Sequence, residues 1–182
     1  TNDIDSRTRV VTEEENAFLA SRIAGSGLGV TYGDIEKAGH VLTVGLEAEE
    51  ECGTIFLRLR KGFLAGSVKV SVVSAYETLG STKMGARVIA ARPGTEGAVL
   101  DALATGDETF DGLAAGGVIL VGERAADSAG TLSAALRLAE KTGARIAWVP
   151  RRAGDRGALE AGAFPHLLPS GRPVGVADAR VD

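Results

Sequence analysis

The stretch from His40 to Ala75 constrains what this chain can fold into more than any other. It reads HVLTVGL, then EAEEECGTIFLRLRKGFLAG, then SVKVSVVSA: an apolar strand, an amphipathic helix and a second apolar strand. Strands covered on both faces of a parallel sheet give continuous apolar runs rich in β-branched residues, and positions 41–46 and 68–75 have that pattern. Between them Ile55, Phe56, Leu59 and Phe63 recur at helical spacing as an inner face, while Arg58, Arg60 and Lys61 fall on the others. Such a βαβ unit crosses over right-handed, and ligands of open α/β sheets dock at the carboxyl ends of the strands. The positions to interrogate are therefore the exits Gly45-Leu46-Glu47 and Val73-Ser74-Ala75.

Neither exit suits a conventional dinucleotide. A phosphate site wants glycines and a helix N-terminus left free for the anion. Here Glu47, Glu49, Glu50 and Glu51 already complement the positive end of the helix and would repel a pyrophosphate. The ribose-binding position after the second strand, normally acidic, is Ser74.

A chain of 182 residues holds one ordinary domain with a full core, or two very small ones. Its net charge of −4 gives no basic excess for nucleic acid, and no apolar run approaches the length of a membrane span. Cys52 is the only cysteine and His40 and His166 the only histidines, too few for a cysteine-ligated iron–sulfur or zinc centre. Cys52 reads as a small hydrophobe, His40 as a structural residue at a strand start, and Trp148 and Phe56 as core. The polar start at Thr1 and the stop at Asp182 suggest a piece of something longer.

Along the chain, Thr12 and Glu15 form a capping-box pattern opening a helix that buries Phe18, Leu19 and Ile23 and ends near Gly25. A short helix is expected at 34–38, entered from Thr31. After the βαβ unit, 76–83 reads as a loop and 85–91 as a third strand. Arg92-Pro93-Gly94 turns into a helix over 95–104 with Val99, Ala102 and Leu103 inward, followed by a short helix at 110–114. A strand at 116–121 ends at Gly122-Glu123. A helix over 128–141 has Leu132, Leu136 and Ala139 inward and Gly143 as its stop, and a strand at 144–149 ends at Pro150. From Arg151 the Gly-, Arg- and Pro-rich run reads as a loop. This alternation predicts an α/β fold: a three-layer α/β/α, mostly parallel, Rossmann-like sheet. The expected organisation is one domain over 1–165 and an exit segment over 166–182.

Five separated stretches together resemble one family. They are TNDIDSR at 1–7, DIEKA at 34–38 with its strand to Gly45, FLRLRK at 56–61, RPGTE at 92–96, and the exit formed by 143–156 and 162–173. On these the chain resembles the central α/β domain of the molybdopterin oxidoreductases, the class that contains formate dehydrogenases. Within that class it is most similar to the G-subunit branch of bacterial NADH-quinone oxidoreductase, respiratory complex I, of actinobacterial type. Cofactor-binding members carry G-S-N-P after the first strand and D-P-R after the second. Here Gly45-Leu46-Glu47-Ala48 and Ser74-Ala75-Tyr76 stand in those places, and the Glu47 to Glu51 run is similar to the complex I version.

The resemblance implies a non-catalytic scaffold domain within an electron-transfer complex carrying electrons from NADH to quinone. It implies a degenerate molybdopterin-dinucleotide site at Gly45, Leu46, Glu47, Ser74, Arg92, Gly94 and Thr95, with no catalytic or metal-ligating residue. No cofactor is expected in this stretch, and iron–sulfur clusters are expected in the parent subunit. Expected partners are other domains of the same subunit and other peripheral-arm subunits, with no nucleic acid and no membrane insertion. The implied location is cytoplasmic, at the inner face of the plasma membrane through the complex. The alternatives are a cofactor-binding lobe of a working molybdopterin-dependent oxidoreductase such as a formate dehydrogenase, and a small-molecule module with a remodelled pocket. Arg92 beside Thr95 fits either a phosphate grip or a helix cap paired with a neighbouring acid. Arg151, Arg152, Asp155 and Arg156 fit either a cofactor channel or an interdomain salt-bridge patch.

Overall fold

A computed structural model describes residues 12–106, 113, 116–164 and 166–175. The TNDIDSR segment lies outside them, as does the helix expected at 110–114 apart from Leu113. The chain divides into two compact units, Leu28–Val149 and a second built from residues up to Gly27 and from Pro150 onward.

In the larger unit the valine-rich runs become strands. β1 (Gly39–Val44), β2 (Val68–Ser74), β3 (Arg87–Ala90), β4 (Val118–Gly122) and β5 (Arg145–Val149) form one sheet in the order β3-β2-β1-β4-β5. Every pairing in it is parallel. The α/β parallel-sheet expectation therefore holds. Side chains alternate across the sheet as the period of two requires. On one face Val41, Val70, Val72, Val118 and Leu120 join Ile35, Ile55, Phe56 and Leu59 in a continuous core. The other face presents Leu42, Val44, Ile119, Val121 and Trp148, all buried.

The first face is covered by α2 (Tyr32–Lys37), α3 (Ala48–Glu51) and α4 (Gly53–Leu64). α2 starts at Thr31, whose hydroxyl accepts from the Asp34 amide at 3.2 Å while the Asp34 carboxylate accepts from the Thr31 amide at 2.7 Å. This reciprocal cap satisfies two orphan donors, and its hydrogen bonds, with Arg145 adding to them, hold the Asp34 carboxyl down at about 2.

The helix expected to run unbroken from the glutamates to Ala65 is instead two. Cys52 leaves helical geometry at φ −152° and ψ 69°, so the glutamates start a one-turn helix and the long helix begins afresh at Gly53 without a side-chain cap. Phe63 also departs from expectation. It is 38% exposed, because Gly62 takes the buried position against Val68 while the Phe63 ring lies over Gly85.

The segment 76–83, expected as a loop, contains α5 (Leu79–Lys83). Its capping box pairs Thr78 with Ser81, a weaker signature than one closed by Glu or Gln.

α6 (Glu96–Thr105) and α7 (Thr131–Thr142) pack against each other. On α6 the buried residues are Gly97 and Leu100, whereas Val99 and Leu103 are half-buried and Ala102 exposed. The contact turns on Gly97, where a Cβ would stand 3.1 Å from the Gly130 carbonyl carbon, so the helices meet backbone to backbone. α7 starts at Thr131 rather than 128, because Glu123–Asp127 is a separate 3-10 turn. Its inner face holds Leu132, Leu138 and Ala139, with Leu136 only half-buried. Gly143 ends it in the left-handed region at φ 73°.

In the smaller unit, α1 (Glu13–Phe18) is capped by Thr12, whose hydroxyl accepts from the Glu15 amide at 3.1 Å, and runs into a π-helical turn, Leu19–Ile23. The stretch after Arg151, expected as a loop, contains α8 (Asp155–Glu160) and a hairpin of β6 (Leu167–Leu168) and β7 (Arg172–Pro173). Gly154 and Gly157 mask a helix whose anchor is one fully buried leucine, Leu159. Among the described residues no helix is long and apolar enough to cross a membrane.

Candidate functional site

Parallel pairing puts all the strand exits on one edge of the sheet. Val44 pairs with Val73 and Ser74 with Ala90, so the segments after β1, β2 and β3 emerge side by side. The sequence-predicted positions Gly45, Leu46, Glu47, Ser74, Arg92, Gly94 and Thr95 are thus brought to one edge of the larger unit. The strand order reverses between β1 and β4, and a crevice for ligand would open there.

At that point the chain's own backbone comes close to both exit glycines. Gly45 has φ +62°, and a Cβ on it would lie 2.7 Å from Ala125 Cα. On the facing strand a Cβ on Gly122 would lie 2.9 Å from the Gly45 carbonyl carbon. Real Cβ atoms do not come so close, so both residues are glycine because two backbones touch across the switch point. Leu46 turns down into the core and is 6% exposed. A salt bridge of 2.8 Å from Arg124 Nε to Glu51 Oε1 ties the 3-10 turn after β4 to α3.

The glutamates after β1 are less of a free negative cluster than the sequence suggests. Glu49 is paired with Lys83 of α5, and Glu51 with Arg124. Glu47 caps α3 through its backbone, its carbonyl accepting from the amides of Glu50 and Glu51 at 3.2 and 2.9 Å. Two of the four carboxylates are thus neutralised by partners within this unit. Cys52, at the break between α3 and α4, is half-buried, and burial with the Glu51 and Glu47 carboxylates pushes its thiol up to about 12. It stays protonated and unreactive near neutral pH.

The neighbouring exits are open but inwardly committed. Ser74 donates its hydroxyl to the Tyr76 carbonyl at 2.9 Å, closing a local turn. Thr95 donates its hydroxyl to the Arg92 carbonyl at 2.8 Å and makes no side-chain cap on α6. Arg92 is exposed, and Gly94 has φ +86° with nothing within 4 Å of an added Cβ. The Arg92-to-Thr95 turn thus has a conformational reason for its glycine and a backbone use for its threonine hydroxyl. Among the described residues no group of three His, Cys, Asp or Glu side chains is placed to hold a metal ion. Among the exit residues Ser74 and Thr95 spend their hydroxyls on backbone carbonyls of their own turns.

The partners of two side chains leave no local mark in the sequence. His40 is buried, with Nε2 2.9 Å from Ser71 Oγ across β1 and β2. Burial first, then the charges of Lys69 and Arg87, lower its tendency to protonate. In the smaller unit Arg156 donates to the Ile23 carbonyl at 2.8 Å, the Gly27 carbonyl at 2.9 Å and the Glu160 carboxylate at 2.8 Å. It closes that unit rather than lining a channel. Arg152 stands 3.9 Å from the buried Asp155.

No protein-family model matches the chain. Curated relatives do. The chain is 56% identical over 175 residues, 96% of its length, to the G subunit of NADH-quinone oxidoreductase from Mycobacterium bovis and from Mycobacterium tuberculosis. It is 48% identical over 196 aligned positions, again 96% of its length, to the protein of the same name from Streptomyces coelicolor. It spans 22–23% of the length of these relatives. At such identity the chain is a homologue of one segment of the actinobacterial NADH-quinone oxidoreductase G subunit.

Proposed function

We propose that this chain is a non-catalytic scaffold domain of the peripheral arm of a NADH-quinone oxidoreductase, in which the ancestral cofactor crevice has become a packing contact. The observation that carries this reading is the backbone apposition of Gly45 with Ala125 and of Gly122 with Gly45 at the switch point. At Gly45 the space a Cβ would take is held by the Ala125 backbone, which supports a packing role for that glycine. Names of the relatives support membership of the complex. The electron carriers, iron–sulfur clusters by the same reading, sit in parts of the parent subunit outside this segment. Partners are other domains of that subunit and other peripheral-arm subunits, on the cytoplasmic side of the membrane. The single-domain reading to residue 165, with 166–182 leading onward, belongs to the same proposal.

Deleting this segment from the full-length subunit, and separately changing Gly45 to Ala, tests it. A scaffold loses assembly of the complex in both cases while the turnover of whatever complex does assemble stays unchanged. Loss of turnover with normal assembly would sink the scaffold reading. The runner-up, a cofactor-binding lobe of a working molybdopterin-dependent oxidoreductase, draws on the exposed Arg92 beside the open Gly94 turn. Stoichiometric molybdenum or guanine nucleotide released from the purified full-length subunit would favour it.

A further inference from the structure

We propose that the outer stripe of α4, Leu57, Arg60, Lys61 and Leu64, is a docking surface for a helix of a neighbouring protein segment that carries carboxylates between apolar side chains. The inference rests on the reading of this chain as a scaffold within a larger assembly.

A helix on a sheet buries one face and gives the other to water. α4 buries Ile55, Phe56, Leu59 and Gly62 against the sheet. At 100° per residue, positions 57, 60, 61 and 64 fall together on the opposite side, where charged residues are expected throughout. Instead Leu57 is 60% and Leu64 67% exposed. They are seven residues apart, about 10.5 Å along the helix axis, with Arg60 and Lys61 between them. That is the spacing of a helix–helix seam, in which two leucines enter holes of a facing helix and flanking charges select the partner.

Charge selects among occupants. Of the cations Arg58, Arg60 and Lys61, Arg58 and Lys61 share one carboxylate, Glu36 of α2, Lys61 at 3.1 Å. The local balance is three cations less one anion, a surplus of two positive charges on a chain whose net charge is −4. A second copy meeting stripe to stripe would set Arg60 and Lys61 against their own images, whereas carboxylates between apolar residues complement both parts of the stripe.

The test uses the full-length subunit in its assembled complex. A photo-crosslinking amino acid replaces Leu57 or Leu64 and, as control, Lys141 at the exposed end of α7. Crosslinks from 57 and 64 are expected about tenfold above those from 141, onto peptides with Asp or Glu between apolar residues. Arg60→Glu is expected to lower that yield about fivefold without changing secondary structure by circular dichroism. Crosslinks to a second copy, to lipid, or no stronger than at 141 would overturn the docking while leaving the scaffold reading intact, provided the wild-type subunit is present in the complex. Its absence from the purified complex would overturn both.

Discussion

Two exits on one edge of the same sheet hold glycines for different reasons. Between β1 and β4, Gly45 and Gly122 are glycine because backbone lies where a Cβ would be; after β3, Gly94 is glycine only because its φ is +86° and the space beside it is empty. Identical residues on one edge thus have different causes. The difference teaches that a glycine at a strand exit can be required by packing alone, so its presence says little about binding.

Alanine at each site breaks the comparison most directly. Gly45→Ala combines a left-handed φ penalty with overpacking against Ala125 and is expected to cost about 2–5 kcal/mol by denaturant unfolding. Gly94→Ala carries only the φ term, about 1 kcal/mol. Equal effects would contradict the packing account of Gly45.

Next in size is a pH effect from the buried His40. Its fold disfavours the proton, so the unfolded chain takes it up first as pH falls below the ordinary 6.5. Stability contributed by neutral His40 is therefore present above that value and declines as pH drops toward the lower folded value. Urea unfolding at pH 7.5 and 5.5 of the wild type and of His40→Gln checks it, and an identical pH slope in both would reject the assignment. Smallest is the bridge between the turn after β4 and α3. Glu51→Gln should cost about 0.2–1 kcal/mol, since Arg124 is 43% exposed and shares the charge with water. A loss beyond that range would mean that the bridge, rather than the glycine contact, closes the exit.

How much of this was readable in the residues follows from which forces leave a local mark. The valine runs of β1, β2 and β4 and the Gly143 stop do so, because continuous burial and a left-handed cap each demand particular residue types. The Cys52 break did not, since nothing in AEEECGT forbids a continuous helix. α5 was missed because its cap is closed by Ser81, and α8 because glycines dilute its period around Leu159. At the candidate site, the absence of acid at Ser74 and the glutamate run were visible. The contact of Gly45 with Ala125 joins residues 80 positions apart in sequence, and no local pattern announces it.

The central claim is that the strand exits no longer take a guanine nucleotide. Calorimetric titration of the purified chain with GDP and GTP measures it directly. The account predicts no binding tighter than about 1 mM, roughly −4 kcal/mol. Micromolar binding, about −8 kcal/mol, that disappears when Ser74 or Arg92 is replaced by a bulky residue would contradict it.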